Sequence, residues 1–405
     1  MTNAVTWARR NLFRSPFDAV LTIVFGIVGL FIVYRSLNFI FVTGRWDVIR
    51  VNLRLLMIGR FPDTHVLRIA VTVVALAGWA GLLAGLIRAR QVRAGRVDVG
   101  ATRLSWRRVS DVADRLWLPA FVALLILMLT STSGPWVMAI AAVVAAVIGR
   151  LIGPYVGRLP LVGLPGVLLM VALAVVPVIL FFYVVSAVGF DEWGGFMLNL
   201  FLAVCSIVLC FPLGVVLALG RRSTLPLVRV VCTLYIELVR GAPLFVLLLL
   251  ANVALGFFIP SNLTPSTATR AIIVFTLFTA AYMAEIVRGG LQSVPRGQIE
   301  AAKALGLSPV RQMGLIVLPQ ALRNVIPAQI GQLISLFKDT SLAALAMGLF
   351  ELLEVSTIIT SQGDFRGQGL IGETIAFAAL LFWTVSYTMS RESQRLERKL
   401  GVGTR

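Results

Sequence analysis

Apolar segments about as long as a membrane is thick recur along the whole sequence. A helix of roughly 20 apolar residues crosses the ~30 Å hydrocarbon core of a bilayer, and ten such segments can be placed in this chain. Because no soluble domain of useful size fits between them, the sequence predicts an all-α polytopic membrane protein of about ten transmembrane helices. The predicted spans are 20–42, 66–87, 116–131, 136–152, 163–186, 197–220, 228–256, 270–288, 323–349 and 371–390.

The composition favours the same class. The 405 residues are 59% hydrophobic and 13% charged, whereas soluble domains carry about 25% charged residues. The formal net charge is +18, but the basic residues fall mainly in short loops, so we interpret them as topology signals and expect no nucleic-acid partner. The first span is too long for a removable signal peptide. Cys205, Cys210, Cys232 and the single histidine, His65, show no metal-ligand spacing, so we expect no metal site.

The orientation follows from the loops that are rich in arginine, because positively charged loops stay in the cytoplasm. The segment 88–115 contains eight arginines, whereas 131–135 and 186–195 contain no lysine or arginine. With an even number of spans, both termini of the chain are therefore expected in the cytoplasm. Membrane lipid then contacts its outward helix faces.

One loop does not follow this charge rule. Residues 43–65 should lie outside the cytoplasm, yet they contain Arg45, Arg50, Arg54 and Arg60. We expect an amphipathic surface helix here, with an apolar side in the membrane interface. That side would consist of Trp46, Leu53, Leu55, Leu56 and Met57.

The composition changes near Phe196. With the basic C-terminal end counted separately, the chain has three parts. Residues 1–195 are predicted to form an N-terminal extension of about five transmembrane helices with a basic cytoplasmic loop at 88–115. Residues 196–390 contain polar and charged residues inside apolar stretches, so we expect the functional domain there. Residues 391–405 form a basic cytoplasmic tail.

The long insertion at 289–322 predicts two short helices. Pro295 lies near the start of the first helix, where Ser293 is available as a cap, and Gly306 is expected to end it. Ser308 and Pro309 have the chemistry of a second helix start, and Pro319 is expected to close that helix. The small Ala301 and Ala302 would let another protein approach closely, flanked by Glu300 and Lys303. The alternative is a plain surface loop that covers the end of the helix bundle.

This insertion resembles the EAA motif of ABC importer permeases. The likeness implies that the segment is the coupling helix region, which docks in a cleft of a cytoplasmic ATPase subunit. The residues that match the motif are Glu300, Ala301, Ala302, Gly306, Ile316, Leu318 and Pro319.

The resemblance extends to the polar amino-acid importer permeases over about 196–400, through segments 235–243, 280–290, 318–323 and 338–341. It implies that the chain lies in a bacterial cytoplasmic (inner) membrane and that the last five spans form a type I ABC importer core. The long front part is similar to the long permeases of broad-range systems for amino acids, including glutamate, glutamine, aspartate and asparagine. The implied partners are a second permease subunit, homologous or identical, two ATPase subunits and a periplasmic amino-acid-binding protein.

The chain itself is expected to be a transport subunit and not an enzyme, because it has no GxxxxGK[ST] loop to cradle phosphates. ATP and Mg²⁺ would then bind to the partner ATPase, with no cofactor in this chain. Two alternatives stay open: an ion-coupled secondary transporter, which predicts an inverted repeat that the halves do not show, and a permease for another small polar solute.

Charged residues within the apolar segments predict a translocation path, because a charge in a membrane helix needs a partner or a watery route. Glu237 and Arg240 are three residues apart, as are Glu285 and Arg288, so each pair can neutralise itself, the second as an anchor at the cytoplasmic end. On one straight helix Glu237 and Arg240 would lie near mid-membrane. The alternative is a structural network between helices. The candidate path residues are Glu237, Arg240, Lys338, Asp339, Thr340 and Ser341.

Overall fold

The computed structural model describes residues 4–93, 106–130, 132–156, 175–180, 182–184, 186–254, 259–260 and 263–401. Helices make up 84% of the structure. Within these ranges the only β pairing is an isolated bridge between Gly195 and Glu351. The fold is therefore all-α, as the sequence predicts. The chain forms two compact units, Met1–Val48 and Ile49–Arg405.

The first unit contains α1, Ala4–Asn11, and α2, Pro16–Asn38, which continues as a π-helical turn over Phe39–Thr43. Ser15 caps α2, since its hydroxyl accepts a hydrogen bond from the Asp18 amide at 3.1 Å. The combined helix Pro16–Thr43 is 28 residues long and apolar enough to cross a membrane. This helix matches the predicted span at 20–42.

Four helices of the second unit precede residue 157: α3 (Asp47–Ile58, whose first two residues belong to the first unit), α4 (Val66–Arg93), α5 (Trp106–Leu129) and α6 (Gly134–Val156). Helices α4 and α6 approach closely through glycines. A Cβ atom on Gly81 would lie 2.1 Å from the Ala146 carbonyl oxygen, and one on Gly149 would lie 2.1 Å from that of Gly78. Such backbone contact is typical of membrane helix pairs, which associate through small residues.

The remaining helices are centred on α7 and α10, where a Cβ on Gly214 would lie 2.6 Å from Met283 Cβ. Ala218 is fully buried in the same region. These helices are α7 (Gly195–Arg221), α8 (Pro226–Gly241), α9 (Leu244–Val253), α10 (Thr267–Ser293), α11 (Arg296–Ala304), α12 (Pro309–Gln312), α13 (Leu318–Asn324), α14 (Ile326–Asp339), α15 (Leu342–Met347), α16 (Leu352–Ile358) and α17 (Ile371–Leu400).

Six helices in the described ranges are long and apolar enough to span a membrane: α2, α4, α6, α7, α10 and α17. The predicted span at 228–256 is instead a pair of helices, α8 and α9, with a bend of 101° between them. Pro243 immediately precedes α9 and has no N–H to continue the ladder of α8. The span at 116–131 corresponds to a shorter apolar helix, Trp117–Leu129, and the one at 163–186 lies mostly outside the described residues.

The prediction of a single helix over 323–349 is wrong. The chain forms α13, α14 and α15 there, because Pro327 lies in the first turn of α14 and Gly348 ends α15 with φ +68°. Gly348 therefore serves as a left-handed helix end. A Cβ on Gly331 would meet no atom of the described chain within 4 Å.

The interface helix expected in 43–65 is also wrong in its placement. Helix α3 forms, but Leu53 and Leu56 are buried in the protein. Gly59 has φ +64°, and a Cβ there would lie 2.3 Å from the Gly194 Cα. Gln362 Nε2 donates to Asn52 Oδ1 at 3.0 Å. The apolar face of α3 therefore packs on the start of α7 and the region before α17, leaving Arg50 and Arg54 exposed.

Candidate functional site

The helix α11 ends where the sequence predicts. Gly306 adopts φ +71°, which disfavours residues with a side chain. The Gly306 amide donates to the Lys303 carbonyl at 2.9 Å, and the Leu307 amide donates to the Ala302 carbonyl at 3.2 Å. These two bonds form a Schellman motif, which satisfies the last carbonyls of the helix and turns the chain sharply.

The second helix starts as predicted but continues further. The Ser308 hydroxyl accepts from the Arg311 amide at 3.5 Å, capping α12, and a π-helical turn over Met313–Val317 leads directly into α13. Pro319 therefore does not close this helix. It lies in the first turn of α13, directly after the π-helical turn.

The expected cap on α11 is likewise wrong. The Ser293 hydroxyl donates to the Gly290 carbonyl at 2.8 Å and accepts from Asn324 Nδ2 at 2.9 Å. A partner distant in sequence therefore occupies this hydroxyl. Helix α11 has Pro295 at its N-cap position without a side-chain cap.

Residues 296–324 form a helical hairpin attached to α10. Gln312 is buried, and its Nε2 donates to the Ile299 carbonyl at 2.7 Å, which joins the two arms. Ala302 is 3% exposed, and Val317 packs in a cluster with Val287 and Leu291 of α10. The hairpin and α10 therefore share one core.

The outward side of this 296–324 hairpin combines polar and apolar residues. Glu300, Ala301 and Lys303 are exposed, so of the two alanines only Ala301 faces outward. Ile316 and Leu318 are partly buried, and Pro319 is exposed. Sequence reasoning missed three large aliphatic residues, Leu305, Val310 and Leu315, which are 81%, 82% and 66% exposed. Leu305 directly precedes the expected helix end at Gly306 and Val310 directly follows Pro309, so both lie at the tip of the predicted hairpin, and this position is the signal that could have found them.

Three arginines from three helices surround Glu285 of α10. Arg288 donates from Nη2 to Glu285 Oε2 at 2.7 Å, Arg221 of α7 bonds Glu285 Oε1, and Arg240 of α8 approaches Oε2 at 3.6 Å. Glu237 pairs with Arg221 at 2.8 Å. We call these five residues the arginine cluster.

The local pairing of Glu237 with Arg240 is therefore wrong, whereas that of Glu285 with Arg288 is confirmed. The spacing permits both pairs, but Glu237 finds a partner on α7 and Arg240 finds one on α10. Helix α8 ends at Gly241, so Glu237 and Arg240 lie near its C-terminal end and not midway along one straight span.

Arg240 is the least satisfied member of the arginine cluster. Its guanidinium lies 5.4 Å from the Tyr282 ring centroid, a cation–π contact. Its Nε is buried and has no hydrogen-bond partner in the described structure. The Tyr282 hydroxyl donates to the Arg240 carbonyl at 3.5 Å.

The 338–341 segment lies at the end of α14. Lys338 is exposed, Asp339 is partly buried, and the Ser341 hydroxyl donates to the Lys338 carbonyl at 2.8 Å. Thr340 is fully buried and accepts from Asn199 Nδ2 at 3.1 Å. Across the described ranges, no ion pair joins Lys338 or Asp339 to the arginine cluster. The structure therefore divides the candidate path residues between two places.

Glu351 is a fully buried carboxylate that sequence reasoning missed. It caps α16, accepting from the amides of Leu353 and Glu354 at 3.0 and 3.2 Å and from Asn199 Nδ2 at 2.8 Å. Burial raises the pKa of Glu351, which lies between the spans, to about 7. Its signal in the sequence is an acid just before an apolar helix start.

Known proteins match this chain along nearly its whole length. The family described as "Binding-protein-dependent transport system inner membrane component" matches residues 210–402. The glutamate/glutamine/aspartate/asparagine transport system permease protein BztC of Rhodobacter capsulatus is 33% identical over 435 aligned positions, covering 98% of this chain and 94% of BztC.

A second relative matches more closely over a shorter region. The inner membrane amino-acid ABC transporter permease protein YhdY of Escherichia coli is 41% identical over 222 residues, which are 55% of this chain and 60% of YhdY. Among solved structures, one described as "Crystal structure of an amino acid ABC transporter with histidines" contains a chain that is 29% identical. The match covers 51% of this chain and 92% of that chain, with a TM-score of 0.45.

Proposed function

This chain belongs to the family of binding-protein-dependent inner-membrane transport components, and on that premise we propose that it is the permease subunit of an ATP-driven amino-acid importer. Its relatives are transport permease subunits, consistent with a transport subunit that is not an enzyme. The name of BztC supports glutamate, glutamine, aspartate and asparagine as the cargo. The inner membrane is its location, with both termini proposed to face the cytoplasm.

The 296–324 hairpin carries this proposal. A separate ATPase subunit would bind its outward side, where the aliphatic side chains of Leu305, Val310 and Leu315 are exposed to solvent. Burying large aliphatic side chains favours association, and Glu300 and Lys303 supply polar contacts at the edge. Gly306 fixes the turn between the two arms, which supports a rigid coupling element.

Motion of the hairpin would reach the membrane helices through shared packing. The hairpin is joined to α10 through Val317 and Ala321, which pack in one cluster with Val287 and Leu291. Helix α10 also carries Glu285, which α7 and α8 contact through Arg221 and Arg240. Closure of two ATPase subunits, with ATP and Mg²⁺ bound to them, would therefore shift α7, α8 and α10 together.

The remaining partners complete a transport cycle. A second permease subunit, homologous or identical, would supply the other half of the path, and a periplasmic binding protein would deliver the amino acid. The path itself would pass Glu237 and Arg240 and residues 338–341. Carboxylate and guanidinium groups suit a cargo that carries both charge signs.

Reconstitution tests this function. The complex of permease and ATPase subunits is placed in liposomes that contain ATP, with receptor and radiolabelled L-glutamate or L-glutamine outside. We expect uptake that requires ATP, the ATPase subunits and the receptor. Uptake by the permease without ATPase, driven by an ion gradient, would instead establish a secondary transporter.

A further inference from the structure

The arginine cluster contains an unbalanced positive charge. Its three guanidinium groups and two carboxylate groups come from α7, α8 and α10, and Glu285 is the carboxylate that all three arginines approach. The cluster lies towards the C-terminal ends of these three helices, where its side chains are 15% to 56% exposed, and its three positive and two negative formal charges leave one positive charge over. One further carboxylate would balance it.

The geometry identifies where that carboxylate would bind. Arg288 already donates twice to Glu285 Oε2, at 3.0 and 2.7 Å, and Arg221 bonds both Glu285 and Glu237. Arg240 makes only the longer 3.6 Å contact, and its buried Nε has no partner in the described part of the chain. A buried donor without a partner loses free energy that a ligand oxygen can restore.

The surroundings of Arg240 suit a planar anion. The Tyr282 ring lies on one side of the guanidinium, 5.4 Å from its central carbon, in a cation–π contact. The Arg240 side chain is 34% exposed, so a small solute can reach it. A guanidinium binds a carboxylate through two parallel hydrogen bonds, which a neutral amide cannot reproduce.

We propose that Arg240 binds the α-carboxylate of the transported amino acid, with Tyr282 orienting the guanidinium. This inference rests on the proposed importer function and assigns a cargo-binding residue to it. Glu285 competes for the same guanidinium, so arrival of the cargo loosens the contact between α8 and α10. Cargo binding then acts on the same helix that carries the 296–324 hairpin.

The test uses the complete complex in detergent and in liposomes. Thermal unfolding is recorded with L-glutamine and with L-glutaminamide, which replaces the α-carboxylate by an amide, in the same chloride buffer. We expect L-glutamine to raise the midpoint and L-glutaminamide to leave it unchanged. Equal shifts by the acid and the amide would overturn the proposal without need of any variant.

Substitutions then locate the group. Arg240→Gln should weaken L-glutamine binding at least tenfold and lower receptor-dependent uptake, while the unfolding midpoint without ligand stays near that of wild type. Arg240→Lys keeps the charge without the paired donors and should bind with intermediate affinity. The matched control is Arg229→Gln on the same helix, because within the described ranges Arg229 donates only to the Ser223 carbonyl.

The outcomes separate the inference from the function it rests on. Wild-type binding by Arg240→Gln, or by Arg240→Lys if the glutamine variant does not assemble, would overturn the inference while ATP-driven uptake continues. Loss of ATP-dependent uptake from the wild-type complex itself would overturn the proposed function.

Discussion

Gly306 holds the two arms of the 296–324 hairpin at a fixed turn. Its φ of +71° lies in the left-handed region, which costs a residue with a side chain roughly 1–2 kcal/mol and a β-branched residue more. Gly306→Val should therefore distort the turn and uncouple ATP hydrolysis from uptake, while membrane insertion is retained. The measurement is the ratio of amino acid imported to ATP hydrolysed.

Gly314→Val is the matched control for that variant. Gly314 lies in the same hairpin, its φ is not positive, and a Cβ there would meet no described atom within 4 Å. A normal coupling ratio in Gly306→Val would remove the role of this turn.

Glu351 predicts how stability depends on pH. Burial raises its pKa from 4.5 to about 7, so between these values the folded state holds a proton that the unfolded state has lost. Stability should therefore fall as pH rises from about 4.5 to about 7, by at most about 3 kcal/mol. Glu351→Gln should remove this part of the pH dependence, measured by thermal unfolding at pH 5 to 8. An unchanged pH profile in that variant, relative to Glu354→Gln, would assign the dependence to other groups.

Local residue chemistry was predictable where no distant partner competes. Gly306 and Ser308 act as the sequence predicts, because each bonds backbone within four residues. Ser293 and Glu237 do not, because Asn324 and Arg221 reach them from other helices. Sequence spacing cannot reveal such contacts.

At the scale of elements, the pair α4 and α6 depends on contact between backbones. Gly149→Leu would place a side chain where the Gly78 carbonyl oxygen lies 2.1 Å from the Cβ position. We expect separation of the two helices and a loss of about 1–3 kcal/mol or more, detected as a lower unfolding midpoint and faster proteolysis. Gly29→Leu in α2 is the control, since a Cβ on Gly29 would have no described atom within 4 Å. Equal behaviour of the two variants would argue against this packing.

The exposed aliphatic residues on the outward side of the hairpin should contribute to ATPase binding. Replacing Leu305 and Val310 by serine should leave the fold intact, because both side chains are more than 80% exposed. The loss of apolar contact should weaken ATPase binding at least tenfold, measured by surface plasmon resonance of the permease in nanodiscs. The control is the double variant Leu67→Ser with Val51→Ser, which removes exposed aliphatic residues elsewhere. An equal loss of ATPase affinity in the two double variants would show that the effect is not specific to the hairpin.

Helices that are long and continuously apolar, such as α2, α7 and α10, were predictable because length and hydropathy alone define them. The breaks within apolar segments were not predictable. Hydropathy does not register Pro327 or the conformation of Gly348, so 323–349 looked like one helix. Likewise the apolar face of α3 suits a membrane interface as well as a protein core, and only tertiary packing of the end of α3 on Gly195 decides between them.

In the whole molecule, α10 connects the 296–324 hairpin to the arginine cluster, which lies towards the C-terminal ends of α7, α8 and α10. Both ends of this link are built from side chains that the sequence shows, but their connection is a property of the fold. The two halves of the chain also differ in kind, since the arginine cluster and the hairpin lie after Phe196.

Photo-crosslinking from position 310 tests the central claim most directly. A photoreactive amino acid replaces Val310, whose side chain is 82% exposed, and cells that contain the whole transporter are irradiated. If the 296–324 hairpin binds the ATPase subunit, we expect a covalent adduct between the two. No such adduct should form when the same group replaces Val51. An adduct with the periplasmic binding protein, or labelling of position 310 by a reagent confined to the periplasm, would contradict this binding.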